Sequence, residues 1–305
     1  MKLSFLWWNT SLSPIGKQDR ATEVQKRYAQ SLINVFTQEI EADLIALGEI
    51  TRDDITDIRK KCNVHGYELF DGYSKAGKSY FDTCVLFKND KFELRNTSNV
   101  TAKKGNRTFK IAQRLDFAIP YHNIPLHVFV SHWPSRMHTQ QGHPDRAFLG
   151  FKLRSEVEEL FSVYQNSAAV VLLGDYNDEP FDHSLSEHLM ATRDRCLAQK
   201  KSSLLYNPFW RKIGHESPYT HDADTIISDG GTHFYKSDDV SRWRTFDQII
   251  FSASFLGSSE WHLNENNTLV LNIPKYNDLV LDSKEFFDHF PVMCVIERIA
   301  KNGGF

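Results

Sequence analysis

A chain of 305 residues is long enough to bury a large core, and sandwich and α/β folds of this length are often single domains. Its 41% hydrophobic, 25% charged and 13% aromatic residues describe an ordinary globular protein and exclude the disordered, collagenous and membrane-embedded classes. The formal charge of -3 excludes a basic coat, so a polyanionic ligand has to be met by a local patch of charge.

In chain order, Leu3 to Trp8 reads as a first strand, too short for a signal-peptide core and followed by Asn9-Thr10-Ser11 without a cleavage site. A cytoplasmic protein is the expectation, because no run approaches the ~20 apolar residues of a membrane span. From Thr22 to Ile40 the residues Val24, Tyr28, Leu32, Val35, Phe36 and Ile40 recur at helical spacing. Further strands are expected at Asp43 to Leu47, Thr83 to Phe87, Leu126 to Val130, Ala169 to Leu173, Phe246 to Phe251 and Val292 to Ile296, with a hairpin pairing Tyr67 to Phe70 with Tyr80 to Phe87. A second amphipathic helix fits Arg146 to Tyr164. Cys62, Cys84, Cys196 and Cys294 show no CxxC spacing and read as reduced, inert thiols. No repeat or linker divides the chain, so one domain over 1–305 is expected. It carries an irregular, aromatic-rich excursion around 200–244, either a functional loop or a surface segment anchored by its rings.

Polar residues of a few types stand at the ends of these strands, where several side chains can converge on one cleft. Asn9, Glu49, His132, and Asp175 with Asn177 follow strands; Asp247 opens one, and Asp288-His289 precedes the last. Carboxylate and amide oxygens suit a hard divalent cation such as Mg²⁺. Residues two apart in extended chain share a side, so Asp175 and Asn177 can both face the cleft while Tyr176 turns away. Asp288 and His289, being adjacent, need a loop or turn for both to reach in. Asp247 and Asp288 are both available as carboxylate partners that would favour a charged histidine.

Trp8-Asn9, Gly48-Glu49, Ser131-His132-Trp133-Pro134-Ser135-Arg136, Gly174-Asp175-Tyr176-Asn177-Asp178, Phe246-Asp247-Gln248 and Asp288-His289-Phe290-Pro291 together resemble the successive motifs of the endonuclease/exonuclease/phosphatase, or DNase I-like, family. They stand in the family's order across nearly the whole chain. The resemblance implies an α/β/β/α sandwich of two packed mixed sheets flanked by helices, and hydrolysis of phosphate esters with Mg²⁺, or Mn²⁺ as substitute. It implies Glu49 as principal metal ligand with Asn9 and Asp288 contributing, Asp175 as the residue that positions or deprotonates water, and Asn177 as a ligand of the phosphate. It also implies His289, paired with Asp247, as phosphate-stabilising cation or base, and His132 as general acid. Arg136 is a candidate phosphate contact because a guanidinium matches phosphate oxygens in a fork; Trp133 is expected to fill the sandwich edge.

Nucleic acid is the expected substrate, with inositol phosphates, a sphingomyelin headgroup or other small phosphoesters as alternatives and no membrane partner. Two readings from other classes compete. Gly72-Tyr73-Ser74-Lys75-Ala76-Gly77-Lys78-Ser79 matches the P-loop pattern of NTPases, but the aromatic and β-branched run after it reads as a strand, whereas a phosphate cradle needs a helix there. A non-catalytic binding protein would be expected to lack one of the polar set, and all are present. His221-Asp222-Ala223-Asp224 reads as a solvated acidic loop.

Overall fold

The apolar runs form strands whose side chains alternate between two buried faces. The computed structural model describes residues 1–14, 21–214, 230–257, 259–282 and 286–299. In chain order the elements are β1 (Lys2–Asn9), α1 (Glu23–Asn34), β2 (Leu44–Gly48), α2 (Arg52–Lys61), β3 (Tyr67–Asp71), β4 (Ser74–Ala76), β5 (Ser79–Phe81), β6 (Cys84–Lys88), β7 (Glu93–Lys104), β8 (Arg107–Ala118), β9 (Leu126–His132), α3 (Pro144–Val163), β10 (Ala169–Asp175), β11 (Ala191–Thr192), α4 (Arg195–Lys200), β12 (Leu205–Tyr206), β13 (His233–Phe234), β14 (Trp243–Arg244), β15 (Asp247–Ser252), β16 (Trp261–Val270), α5 (Pro274–Leu281) and β17 (Val292–Arg298).

Two large mixed sheets result, ordered β16-β17-β1-β2-β6-β3 and β11-β12-β15-β10-β9-β8-β7. Leu3, Phe5, Trp7, Leu44 and Ala46 of the first meet Val128, Val130, Val171, Leu173 and Phe251 of the second in a central core. The intervening residues Leu6, Trp8, Ile45 and Leu47 turn outward onto Leu32, Ile33, Ile55 and Ile58 of α1 and α2. On the far side Phe129, Val170, Leu172 and Ile250 meet Leu149, Leu153, Val157 and Phe161 of α3. The layers run helix, sheet, sheet, helix, as expected from the sequence. Central strands buried on both faces read as continuous apolar runs, and each large side chain withdrawn from water contributes ~1.5–3 kcal/mol.

Three local expectations change. Val24 and Tyr28 face solvent, and the buried face of α1 is Ala29, Leu32 and Ile33. Four-residue steps overshoot a helical turn by about 40° each, so Val24 has drifted well away from Phe36. The strand β6 pairs with β3 as expected, but Tyr80 lies in a separate hairpin of β4 and β5. That hairpin is the P-loop look-alike: Ala76 pairs with Ser79 across the turn Gly77-Lys78, Gly77 supplies the left-handed φ of +63°, and a strand rather than a helix follows. The phosphate cradle of an NTPase is therefore not formed.

Of the excursion, Tyr206 and Phe209 join the central core, and Trp243 stacks on Phe290. His221 to Asp224 lie outside the described residues. Cys62, Cys84 and Cys294 are buried free thiols and Cys196 is an exposed one.

Gly174 sits where β10 runs against β9, and a Cβ built on it would fall 1.9 Å from the Ser131 carbonyl oxygen. Gly174→Ala is expected to destabilise the fold by ~1–3 kcal/mol or more, since backbone rather than a pliant side chain must yield; urea unfolding measures it.

Candidate active site

Parallel pairing of β1 with β2 and of β9 with β10 brings four C-terminal strand ends to one rim. The antiparallel neighbours β6, β15 and β17 bring their N-terminal ends to the same rim. Asn9, Glu49, His132 and Asp175 come from the first group, and Asp82, Asp247 and Asp288-His289 from the second. Register aligns three of them, because Asp175 pairs with His132 on one side and with Asp247 on the other. Residues directly opposite in a sheet share a face, so these side chains stand in one row.

Asp247 is fully buried; Trp7 Nε1 donates to its Oδ1 at 2.7 Å and His289 Nδ1 donates to its Oδ2 at 2.8 Å. Burial disfavours the His289 cation, but Asp247, Asp175 and Asp288 around it outweigh burial and hold its pKa up to about 10. Burial also raises the Asp247 carboxyl, against the pull of His289. The other ring nitrogen, His289 Nε2, faces Asp175 Oδ2 at 3.8 Å. His289 leaves the strand as an isolated bridge to His233, and this irregular backbone lets Asp288 reach the rim as well.

A second carboxylate–imidazole pair faces the first. His132 Nδ1 donates to Asp82 Oδ2 at 2.7 Å, and Lys110 Nζ donates to the other oxygen of Asp82 at 2.6 Å. His132 Nε2 lies 3.9 Å from the same Asp175 Oδ2 and 3.8 Å from Glu49 Oε1. Burial lowers the His132 pKa and Asp82 raises it, with a net rise; burial raises Asp82, while His132 and Lys110 bring it far below the usual carboxylate range.

Asn9 donates its amide to Asp175 Oδ2 at 3.1 Å, and its Oδ1 accepts from the Ser11 backbone. Its amide nitrogen also lies 3.4 Å from His289 Nε2, so the side chain helps position Asp175 while its oxygen keeps one acceptor site toward the rim. Glu49 and Asp288 are different. The Glu49 backbone is left-handed, with φ of +54°, which turns its side chain out of the strand line into the rim. Among the described residues no hydrogen-bond donor reaches its carboxylate. Burial raises its pKa, His132 opposes this, and the Asp288 charge raises it further. Asp288 Oδ1 accepts from Ser11 Oγ at 2.7 Å, and its side chain keeps 31% of its exposure. Two hard carboxylates in each other's field, one without a partner, fit a divalent cation, which would relieve both.

The segment after Asp175 is held from behind. Asn177, with φ of +51°, donates from its backbone to Asp175 Oδ1 and from its amide to the Trp133 carbonyl, and the second amide hydrogen remains for a ligand. Tyr176 turns away and packs edge-on against buried Trp133. Arg136, expected to meet phosphate, instead donates to the Asn177 carbonyl at 2.9 Å and to Asp182 at 2.5 Å while lying over Phe246. The carboxylates of Asp178 and Asp182 draw it back from the rim.

Sequence reading passed over five participants. Asp82 could have been found by the rule that exposed Asp247, as a carboxylate before an antiparallel apolar strand. Trp7, Lys110 and His233 could not, because they act across sheets. His233 lies over His289 with ring centroids 4.4 Å apart, and its Nε2 is 3.8 Å from Asp288. The fifth is Arg146, 2% exposed, which donates to the carbonyls of Thr139, Pro134 and Tyr176 and faces Asp178 at 3.4 Å. It ties the loop after His132 to the loop after Asp175.

The two-sheet sandwich and its rim of carboxylates and imidazoles define a phosphoesterase fold. The chain belongs to the endonuclease/exonuclease/phosphatase family, whose model matches residues 9–298. Similar solved structures are the human nocturnin catalytic domain with bound sulfate (TM-score 0.62, 15% identity, 98% of this chain and 95% of that one) and the Bacteroides thetaiotaomicron mannosyl-6-phosphatase (0.62, 15%, 97% and 99%). Another is D. rerio TDP2 complexed with single strand DNA product (0.57, 15%, 97% and 99%). At this identity the likeness is one of fold. No curated protein matches the chain in sequence.

Two outcomes follow from this geometry. Arg146→Gln strands the buried Asp178, whose carboxyl burial already pushes up to about 6, and is expected to cost ~3–5 kcal/mol in urea unfolding, with partial recovery when Asp178→Asn is added. For His289 the raised pKa means that its ion pair stabilises the fold fully below pH 6.5 and that this contribution is lost as pH rises through about 10. Asp247→Asn removes the principal support of that cation, so the alkaline limb of a pH–rate profile should move down from near pH 10. Turnover at pH 7 should fall by ~10²–10⁴, as for the loss of other histidine-orienting carboxylates.

Proposed function

We propose that the protein is a Mg²⁺-dependent phosphodiesterase acting on nucleic acid, with Mn²⁺ as a substitute metal. The observation that carries this reading is the pair of carboxylate-backed imidazoles, His289–Asp247 and His132–Asp82, whose Nε2 atoms face one oxygen of Asp175 at 3.8 and 3.9 Å. In-line hydrolysis needs a proton acceptor for water on one side of phosphorus and a proton donor for the leaving oxygen on the other. His289, whose cation the surrounding carboxylates favour, neutralises the non-bridging oxygens. Asp175 orients the attacking water and takes its proton, and His132 gives a proton from Nε2 to the leaving oxygen. Asn177 donates its remaining amide hydrogen to the phosphate. Glu49 and Asp288 would hold the metal, which supplies further charge relief when bound. Residues 1–305 act as one catalytic unit, with the 200–244 excursion lending His233 to the wall.

A second reading, a phosphatase of small molecules, is favoured by a cavity of about 520 Å³ lined by Arg136, Glu179, Phe181, Trp243, Arg244 and Thr245, of which Arg136 and Thr245 stand close in sequence to His132 and Asp247. The test is cleavage of plasmid, duplex DNA, single-stranded DNA and RNA by wild type and Asp175→Ala with Mg²⁺, Mn²⁺ or EDTA, beside a panel of sugar and inositol monophosphates. Metal-dependent cleavage of nucleic acid, at least ~10³-fold weaker in the variant, is expected. Hydrolysis confined to the monophosphates would replace the first reading by the second.

A further inference from the structure

Two hairpins beside the His132 pair carry charge that the rest of the chain does not. Residues 72–81 and 93–118 contain eight of the 36 Lys and Arg and two of the 39 Asp and Glu, in a chain whose net charge is -3; the two acids, Glu93 and Asp116, pair with Arg95 and Arg114 at the end of the hairpin away from its tip. The hairpins are seated on each other. Asn99 Nδ2 donates to Ser74 Oγ at 3.0 Å, and the tip glycine, Gly77, approaches β8 so closely that a Cβ there would fall 2.7 Å from Thr108 Cβ. In β7 and β8 Lys103 pairs with Thr108 and Lys104 with Arg107, so the turn Gly77-Lys78 lies beside the basic tip. Lys75, Lys78, Lys103, Lys104 and Arg107 are all exposed. Asp145 offsets two of them, at 2.7 Å from Lys104 and 3.0 Å from Arg107. Among the described residues Lys75, Lys78 and Lys103 have no acidic partner.

This surface is continuous with the catalytic rim. Strand β8 descends from Arg107 to Lys110 over about 10 Å, and Lys110 holds Asp82, which holds His132. We infer that the two hairpins form a platform for the sugar-phosphate backbone of a nucleic-acid strand beyond the scissile phosphate, an inference that rests on the nuclease reading of the site. The Gly72–Ser79 segment, which mimics a nucleotide-binding loop in sequence, thus serves phosphate recognition through side-chain ammonium groups instead of helix amides. A bilayer is the poorer partner, because among the described residues neither hairpin exposes a large aliphatic side chain to insert.

The test compares wild type with the triple variant Lys75→Glu, Lys78→Glu, Lys103→Glu. Binding of a fluorescent single-stranded 20-mer in EDTA is followed by anisotropy from about 50 to 200 mM salt. At least tenfold weaker binding is expected, with a salt slope smaller by about 2, the value for three lost contacts to a single strand. Turnover of bis(p-nitrophenyl) phosphate with Mg²⁺ should stay within twofold, and the milder triple exchange to Gln should weaken oligonucleotide binding in the same direction. Equal affinity in wild type and variant, or lysine-dependent binding to phosphatidylserine vesicles with none to the 20-mer, would overturn the platform. Lysine-dependent oligonucleotide binding by a protein that hydrolyses only monophosphates would overturn the nuclease reading, and with it the platform's place beside a scissile phosphate, while locating nucleic-acid binding at the hairpins.

Discussion

The Asp247 carboxylate lies between the two sheets and is the charge on which the rest of the rim depends. It belongs to β15 of the second sheet, yet both hydrogen bonds on its oxygens come from the first, from Trp7 of β1 and from His289 just before β17. A buried carboxylate without partners would cost several kcal/mol, so the two sheets are held in the one relative position that satisfies it. That position also sets His289 against Asp175. The structural requirement and the chemical one are met by the same atoms, because the carboxylates that pair with the imidazole also keep it charged against the opposing effect of burial.

The second pair follows the same logic with a different cation count. Asp82 receives His132 and Lys110 together, so its charge is matched twice over, and it stays ionised far below neutral pH despite burial. His132 is thereby fixed with Nδ1 on the carboxylate and Nε2 toward the rim. Around these pairs the backbone is forced into left-handed geometry at Ser11, Glu49 and Asn177. Residues without glycine's freedom hold such conformations only where neighbours over-determine them. At Asn177 those neighbours are Trp133, Arg136 and the Asp175 carboxylate.

The architecture was readable in the sequence because strands buried on both faces leave continuous apolar runs, and seven such runs became β1, β2, β6, β9, β10, β15 and β17 with ends displaced by a residue or two. Family membership was readable because the polar residues at those ends occur in a fixed order. The strand β7 was not, since a strand whose residues are mostly exposed carries no apolar pattern to find, and in its partner β8 the buried Lys110, Gln113 and Asp116 interrupt the apolar run. Partnerships across the sandwich were equally hidden: Trp7 and Asp247 lie 240 residues apart, and only the packing of one sheet on the other brings them together. Arg136 shows another limit, since its motif does not reveal that its guanidinium also serves Asp182 and the Asn177 carbonyl.

Strand direction explains why so many charges can gather here without wrecking the core. Every rim residue stands either just at the C-terminal end of a parallel strand or just at the N-terminal end of an antiparallel one, where the ladder stops and water or ligand can take over. One or two residues further into the strands the side chains are Trp8, Leu47 and Leu173, all fully buried. The transition from apolar layer to charged rim therefore takes no more than two steps along these strands. Shifting the register of β10 by one residue would exchange the faces of Asp175 and Gly174 and break the row with His132 and Asp247, so Gly174's close approach to Ser131 bears on the alignment of the rim as well as on packing.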